Sequence, residues 1–347
     1  GMQKHSTHLV QSLGRLGVEL HVFYTFRHHD SKSGVDWESF VESVPGNVRF
    51  YEVEYPKTGR WPGHYVRESY LYSKRIRQRY HALPAGFDFI YAEGQSARAF
   101  FDEKSFSGKR PPIGVNAHGL EMFQPATNFR IKLQQWMIRP TFRQYMQKAD
   151  YIMAFPGKIR SIVEGQLGIP AHRVITVTNG ISENWISPNP VALANPRKFV
   201  FVGRSERRKG LPELIRALSD ILGFTFELHI IGAVSDDSLG PDPRIINHGL
   251  IRDSSKIKEI LDRCDVLMCP SYAEGMPTVV MEAMARGLAV IATDVGAVRY
   301  LVDSTNGVLL SEPHSKRIAE AMEKLITMND VELKKLKQNS VNKIRDF

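Results

Sequence analysis

Cysteine is almost missing: the 347 residues include two, Cys264 and Cys269, separated by four residues. That spacing suits neither a CxxC redox pair nor a zinc clamp, so a disulfide scaffold is excluded and two buried core thiols in a reduced setting are expected. Long apolar runs are missing too. The longest are of the kind seen in Phe199 to Val202 or Leu288 to Ala292, far short of the roughly 18 to 20 residues a bilayer-spanning helix needs. The opening GMQKHSTHL has no apolar leader core, so a cytoplasmic protein is expected. There is no GxxxxGK[ST], no GxGxxG and no HExxH, which argues against an ATPase, a standard dehydrogenase and a zinc peptidase.

What is present is ordinary globular composition, 42% hydrophobic and 24% charged, with 26 Gly and 19 Pro. At roughly 100 to 200 residues per domain, the length favours two domains. The net charge of +9 is unevenly spread: Lys and Arg number 24 against 16 acids up to Glu183, and 22 against 21 after it. The first half therefore carries +8 of the excess. Its densest stretch, Lys74, Arg75, Arg77 and Arg79, reads as a face for anionic lipid or an acidic acceptor. It lacks the interleaved aromatics of an RNA-binding surface, so no nucleic-acid partner is expected.

Short β-branched or aromatic runs recur through the chain, separated by helical stretches. In the first half they are Val18 to Tyr24, Val48 to Val53, Phe87 to Ala92, Ile113 to Ala117, Tyr151 to Phe155 and Val174 to Val177. The second half has Phe199 to Val202, Phe226 to Ile231, Arg244 to Asn247, Val266 to Cys269, Leu288 to Ala292 and Val308 to Leu310. Apolar runs of this length are the mark of parallel strands covered on both faces. Two doubly wound α/β domains are expected, residues 1–183 and 184–347, joined where Asn, Pro and Gly cluster between Asn179 and Pro196. Ligands of open α/β sheets bind beyond the carboxyl ends of the strands, which places the site in a cleft between the two domains.

Three strand-to-loop segments carry chemistry. In SYAEGMPTVVMEAMARG, Ser271 to Gly287, Pro277 presets a first helical turn and Gly287 ends the helix. The amides of Gly275, Met276 and Thr278 are then unpaired at a positive helix end, ready for a phosphate or a polyhydroxyl ligand. Glu274 stands just outside that helix and Glu282 inside it, so two carboxylates can accept from two sets of sugar hydroxyls. On spacing alone they equally read as a loop residue and a solvated helix position. In FVFVGRSERRKGLPELIRAL, Phe199 to Leu218, Gly203 opens a turn flanked by Arg204 and Lys209, cations that suit a diphosphate. Arg207 and Arg208 read as solvated. In IGVNAHGLEM, Ile113 to Met122, His118 follows a strand end and Gly119 permits close backbone approach. His118 can donate to a sugar hydroxyl, or it can be structural.

Together these segments resemble the retaining nucleotide-sugar glycosyltransferases of family 4, with the GT-B architecture of two facing Rossmann-like domains. The family's Glu, seven residues, Glu pattern reads here as EGMPTVVME, Glu274 to Glu282. It stands in order with NAHG, VTNGIS, FVGR(x4)KG and ATDVGAVRYLVDSTNGVLL, Ala292 to Leu310. The resemblance implies that Glu282 holds the ribose hydroxyls, that Glu274 and His118 contact the donor sugar, and that Arg204 and Lys209 neutralise its diphosphate. It implies that Gly203 and the Gly275, Met276, Pro277 and Thr278 loop line the donor site, and that Leu250 and Ile251 belong to the base-binding loop. No cofactor is implied, and the absence of an Asp-x-Asp motif agrees with a metal-independent site. The expected partners are a nucleotide sugar and a glycan, lipid-linked or small-molecule acceptor, as in cell-envelope polysaccharide biosynthesis, with peripheral contact to the inner face of an anionic membrane through the N-terminal domain.

The ends depart from the family. Members begin with a strand and a glycine-rich loop before the first helix, and they close with a helix crossing back to the first domain. This chain starts at the helix, so a sheet lacking its central strand between Val18 to Tyr24 and Phe87 to Ala92 is expected, and with it poor transfer. The rival reading is accordingly a truncated relative that holds nucleotide sugar or membrane without turnover.

Overall fold

The computed structural model describes residues 2–25, 37–57, 59, 64–83, 86–102, 110–187 and 193–347. Gly1 and the 188–192 part of the expected join lie outside the described residues. All twelve expected strands form: β1 Leu20–Tyr24, β2 Val48–Glu52, β3 Ile90–Glu93, β4 Ile113–Asn116, β5 Tyr151–Ala154, β6 Val174–Thr176, β7 Arg197–Val202, β8 Phe226–Ile231, β9 Ile245–Asn247, β10 Val266–Cys269, β11 Ala289–Thr293 and β12 Gly307–Leu310. The chain packs as two compact units, Gly1–Ala117 with Thr141–Met153 and Leu167–Ile175, and His118–Pro140 with Ala154–Gln166 and Thr176–Phe347.

The second unit is built on a six-stranded sheet in the order β12-β11-β10-β7-β8-β9, every pairing parallel. Taken in chain order this is the doubly wound 3-2-1-4-5-6 arrangement, whose direction of winding reverses between β7 and β10. The sequence explains why these strands are central. β10 (VLMC) and β11 (AVIAT) are buried at every position, as strands with helices on both faces must be. The core joins Phe199, Phe201, Leu228, Ile230, Met268 and Ile291 to Leu214, Leu218, Ile318 and Met322 from the covering helices. Cys264 and Cys269 are free, buried thiols, and burial pushes both up to about 12.

The first unit carries a parallel two-stranded sheet, β1-β2, and a four-stranded sheet, β3-β4-β5-β6. Residues Met2–Arg15 form a helix. Among the described residues these two sheets are not hydrogen-bonded to each other. The β1-β2 pair is held by rings instead: Tyr24, Trp37, Phe40 and Phe50 pack with centroids 4.3 to 6.2 Å apart. No helix among the described residues is long and apolar enough to cross a membrane.

Candidate functional site

At the point where the second unit's sheet reverses its winding, the loops after β7 and β10 emerge side by side, because β7 and β10 are hydrogen-bonded neighbours. Their backbones are stitched by the Tyr272 amide donating to Arg208 O at 2.7 Å. Gly210 makes this approach possible. Its φ is 72°, and a Cβ there would sit 1.8 Å from Pro270 O, so the glycine is required on both conformational and steric grounds. Lys209, held just before it, donates from Nζ to Glu274 Oε1 at 2.7 Å. The same carboxylate oxygen accepts from Ser271 Oγ at 2.7 Å. Glu274 is 7% exposed, and a charge so buried requires this kind of pairing.

Arg207 is exposed as expected, but Arg208 departs from expectation. Arg208 is not solvated: it lies 2.8 Å from Glu206, 3.5 Å from Glu121 and 3.8 Å from Glu274. Burial would lower the pKa of its guanidinium, but the three carboxylates raise it above the ordinary arginine value. Arg207 is also committed, to Glu213 at 2.7 Å and over the Tyr272 ring. Arg204 is the cation left at the surface, 73% exposed and 2.7 Å from Glu206. Glu206, which pairs with Arg204 and Arg208, lies within the run RSERRK, but the approach of Arg208 to Glu121 and Glu274 could not be read from it, since those carboxylates lie on other loops.

After Glu274 the chain passes through Gly275, Met276 and Pro277 into the helix Thr278–Ala285. Among the described residues, the amides of Gly275, Met276, Thr278 and Val279 donate to no protein acceptor, as expected for a first turn without a side-chain cap. Their carbonyls are used. Gly275 O accepts from the Ala297 amide at 2.7 Å, and Met276 O accepts from Asn179 Nδ2 at 2.7 Å. Beneath the turn Gly296 has φ 54°, and a Cβ there would approach the oxygens of Glu274 and Gly275 to 2.3 Å. Asn179 of VTNGIS and Gly296 of TDVGA thus share a physical task, to engage this loop's carbonyl side while its amides stay unpaired. Glu282 lies half-buried in the same helix.

His118 and its loop belong to the same unit. His118 and Leu120 both adopt positive φ, 38° and 44°, a conformation that non-glycine residues hold only where their surroundings impose it. Gly119 faces Gly275, whose amide nitrogen would lie 3.4 Å from a Cβ at 119. The His118 ring stands 6.4 Å from that of Phe155. A residue missed by the sequence reading locks these loops together. Gln124, 6% exposed, donates from Nε2 to Glu274 O at 2.6 Å and to Gly119 O, and its Oε1 accepts from the Glu274 amide at 3.4 Å. Nothing in the local sequence marks it, because an amide's value here lies in having a donor and an acceptor on one planar group. A further strut joins Lys158 Nζ to Asp294 at 3.1 Å. Burial would raise the pKa of that carboxyl, yet Arg299 and Lys158 hold it below the ordinary value.

Leu250 and Ile251 stand on the loop after β9, two strands from β7. Leu250 is 58% exposed. Behind them runs a polar row: Lys198 to Glu227 at 2.8 Å, Glu227 to His229 Nε2 at 3.1 Å, and His229 Nδ1 to His248 Nε2 at 2.8 Å. A carboxylate can only accept, so His229 carries its proton on Nε2 and accepts on Nδ1 from His248. Burial lowers both imidazoles, in His229 against the raising pull of Glu227 and in His248 with added repulsion from His229. Folded, the rings hold fewer protons than unfolded. Their stabilisation is complete above the ordinary imidazole value of about 6.5 and is lost as pH falls below it towards the lowered folded values. The melting temperature should drop between about pH 7 and pH 5.5, with a shallower drop in His248→Asn. Identical pH profiles for the two proteins would refute the role of the pair.

Comparison with known proteins agrees with this architecture. A family model described as Glycosyltransferase Family 4 matches residues 1–185, and one described as Glycosyl transferases group 1 matches residues 196–328. The capsular polysaccharide biosynthesis glycosyltransferase CapM of Staphylococcus aureus is 31% identical over 146 residues, 39% of this chain and 37% of that protein. Sucrose-phosphate synthase from Thermosynechococcus elongatus superimposes with a TM-score of 0.78 at 17% identity, over 100% of this chain and 89% of that one. Anabaena Alr3699/HepE, solved with UDP and glucose, gives 0.66 at 17% identity, over 94% and 95%. At such identities the structural likeness is one of fold. Three of the curated relatives are matched over 32%, 55% and 65% of their own lengths, so the chain spans a third to two thirds of them. With the family pattern running through more than half of the chain and a doubly wound sheet in its second unit, the chain belongs to glycosyltransferase family 4 and has the GT-B fold.

Proposed function

We propose that the protein is a retaining glycosyltransferase that moves a sugar from a nucleoside diphosphate to a glycan, lipid-linked or small-molecule acceptor. The unit built on residues 1–117 forms the acceptor side and the unit built on residues 176–347 the donor side. The observation that carries this reading is the pairing of Lys209 with Glu274 beside four outward amides, Gly275, Met276, Thr278 and Val279, at the switch point of a doubly wound sheet. Cation and amides suit a diphosphate, and the carboxylate suits sugar hydroxyls. UDP and glucose in Alr3699/HepE, a protein of the same fold, support a nucleotide-sugar donor.

In this reading Glu282 takes the ribose, Leu250 and Ile251 the base, and Gly203 with the Gly275 to Thr278 loop the phosphates and sugar. His118 reaches the sugar near the reacting carbon. The bond from that carbon to the β-phosphate oxygen breaks as the acceptor oxygen attacks from the same face. The departing phosphate oxygen takes the acceptor's proton. Lys209 and Arg204 meet the charge that grows on the diphosphate, which lets the step run without a metal ion. The protein works in the cytoplasm, in peripheral contact with the inner face of the membrane.

The test is hydrolysis and transfer on a panel of nucleotide sugars, together with Glu282→Ala. A carboxylate hydrogen-bonded to hydroxyls contributes about 1.5 to 3 kcal/mol, so the variant should bind both donor and free nucleoside diphosphate roughly 10- to 150-fold more weakly. Titration calorimetry giving equal diphosphate affinity for variant and parent would remove Glu282 from the ribose.

A further inference from the structure

The helix Phe129–Lys148, FRIKLQQWMIRPTFRQYMQK, contains no Asp or Glu and buries Tyr145 and Met146. One face is accounted for. Gln135 donates to Glu121 O at 3.0 Å, and Arg139 donates to Met122 O at 2.8 Å with its guanidinium over the Phe123 ring. At about 100° per residue, Phe129, Leu133, Trp136 and Met137 fall together within roughly a quarter to a third of the helix circumference, away from Gln135 and Arg139. They are 80%, 47%, 66% and 55% exposed. Four large apolar side chains in one uncovered stripe exceed the scatter of single exposed residues normal on a surface. Arg130 and Lys132, both exposed, border the stripe on its two sides.

We propose that this stripe is a membrane-contact surface, laid on an anionic lipid bilayer with Phe129, Leu133, Trp136 and Met137 entering the headgroup boundary and Arg130 and Lys132 meeting lipid phosphates. It rests on the peripheral membrane contact proposed above and gives that contact a location. Charge complementarity selects the occupant. A helix with five cations and no carboxylate repels a basic partner and matches an anionic surface, and its Trp and Phe suit the boundary between water and acyl chain. The other basic stretch is less available: Arg75 is paired with Glu54 at 3.0 Å, and Arg77 with Asp102 at 3.1 Å. The structure thus moves the contact from Lys74 to Arg79, where the charge count alone had put it, to a helix that adds aromatics to the charge.

The experiment is cosedimentation with vesicles of phosphatidylcholine alone and with about one third phosphatidylglycerol, at about 0.1 M and 0.5 M salt. The parent protein should bind the anionic vesicles preferentially, and brominated lipid should quench its tryptophan emission. The double variant Phe129→Ser, Trp136→Ser should lose binding on the order of tenfold or more at both salt concentrations. Arg130→Gln, Lys132→Gln should lose it chiefly at low salt. Nucleoside diphosphate affinity, measured on the same samples, should be unchanged in both variants, which separates a failure of the membrane surface from a failure of the transferase reading. Binding that ignores lipid charge and both double variants would overturn the proposal. So would a dimer that Phe129→Ser, Trp136→Ser abolishes while vesicles are never bound, since a second copy would then be the occupant.

Discussion

Lys209→Ala is expected to lower the turnover number by about 10²- to 10³-fold, with a smaller change in the Michaelis constant. The ammonium lies 2.7 Å from Glu274, next to Gly210, whose backbone packs so closely on Pro270 that a Cβ would lie 1.8 Å from its oxygen. It is therefore fixed before substrate arrives, which is the condition for strong stabilisation of charge that appears only during bond breaking. Two losses coincide in the variant. The leaving diphosphate loses a cation, and Glu274 is left buried with Ser271 and a guanidinium 3.8 Å away. Lys209→Arg restores charge without the compact geometry and should recover only part of the rate. Arg204→Ala should cost less, since Arg204 is mostly exposed and held by Glu206. A raised Michaelis constant with unchanged turnover in Lys209→Ala would place the lysine in ground-state binding alone.

The parts of this protein legible in its sequence are those in which one residue run suffices. Each expected strand formed, because a buried parallel strand is a short apolar run and needs no other information. The FVGR(x4)KG and TDVGA glycines were legible as well, and the structure supplies their cause: Gly210 and Gly296 each lie where any side chain would strike a carbonyl oxygen. What stayed hidden depends on partners distant in sequence. The run around Arg208 reads as solvated, yet three carboxylates surround it, one of them contributed by the loop at Glu121. Gln124 carries no mark in its local sequence, although it joins segments 150 residues apart. The strained backbone at His118 and Leu120 could not be foreseen either, because a positive φ at a non-glycine residue is imposed by packing and leaves no mark in the sequence.

Another charge invisible to the sequence reading is the most deeply buried one, and its removal should have the largest effect on stability. Asp265 is fully buried at the entrance of β10. One oxygen accepts from Lys337 Nζ at 3.1 Å and the Ala194 amide at 3.2 Å, and the other from the Lys198 amide at 3.0 Å. Lys337, itself 1% exposed, reaches in from the helix Asp330–Ile344 and also donates to Cys264 O at 3.2 Å. The pair therefore ties the last helix, the segment entering β7 and the start of β10 at one point. Burial lowers the Lys337 pKa even though Asp265 raises it, so the ammonium depends on its carboxylate. Asp265→Ala should destabilise the protein by about 3 to 5 kcal/mol, because it strands a buried cation and two amides. Replacing both partners, Asp265→Leu with Lys337→Met, should recover much of that loss, since an apolar pair carries no desolvation cost. Urea unfolding measures both. A single variant within about 1 kcal/mol of the parent, or a double variant no better than the single, would show that the ion pair does not hold these three segments together.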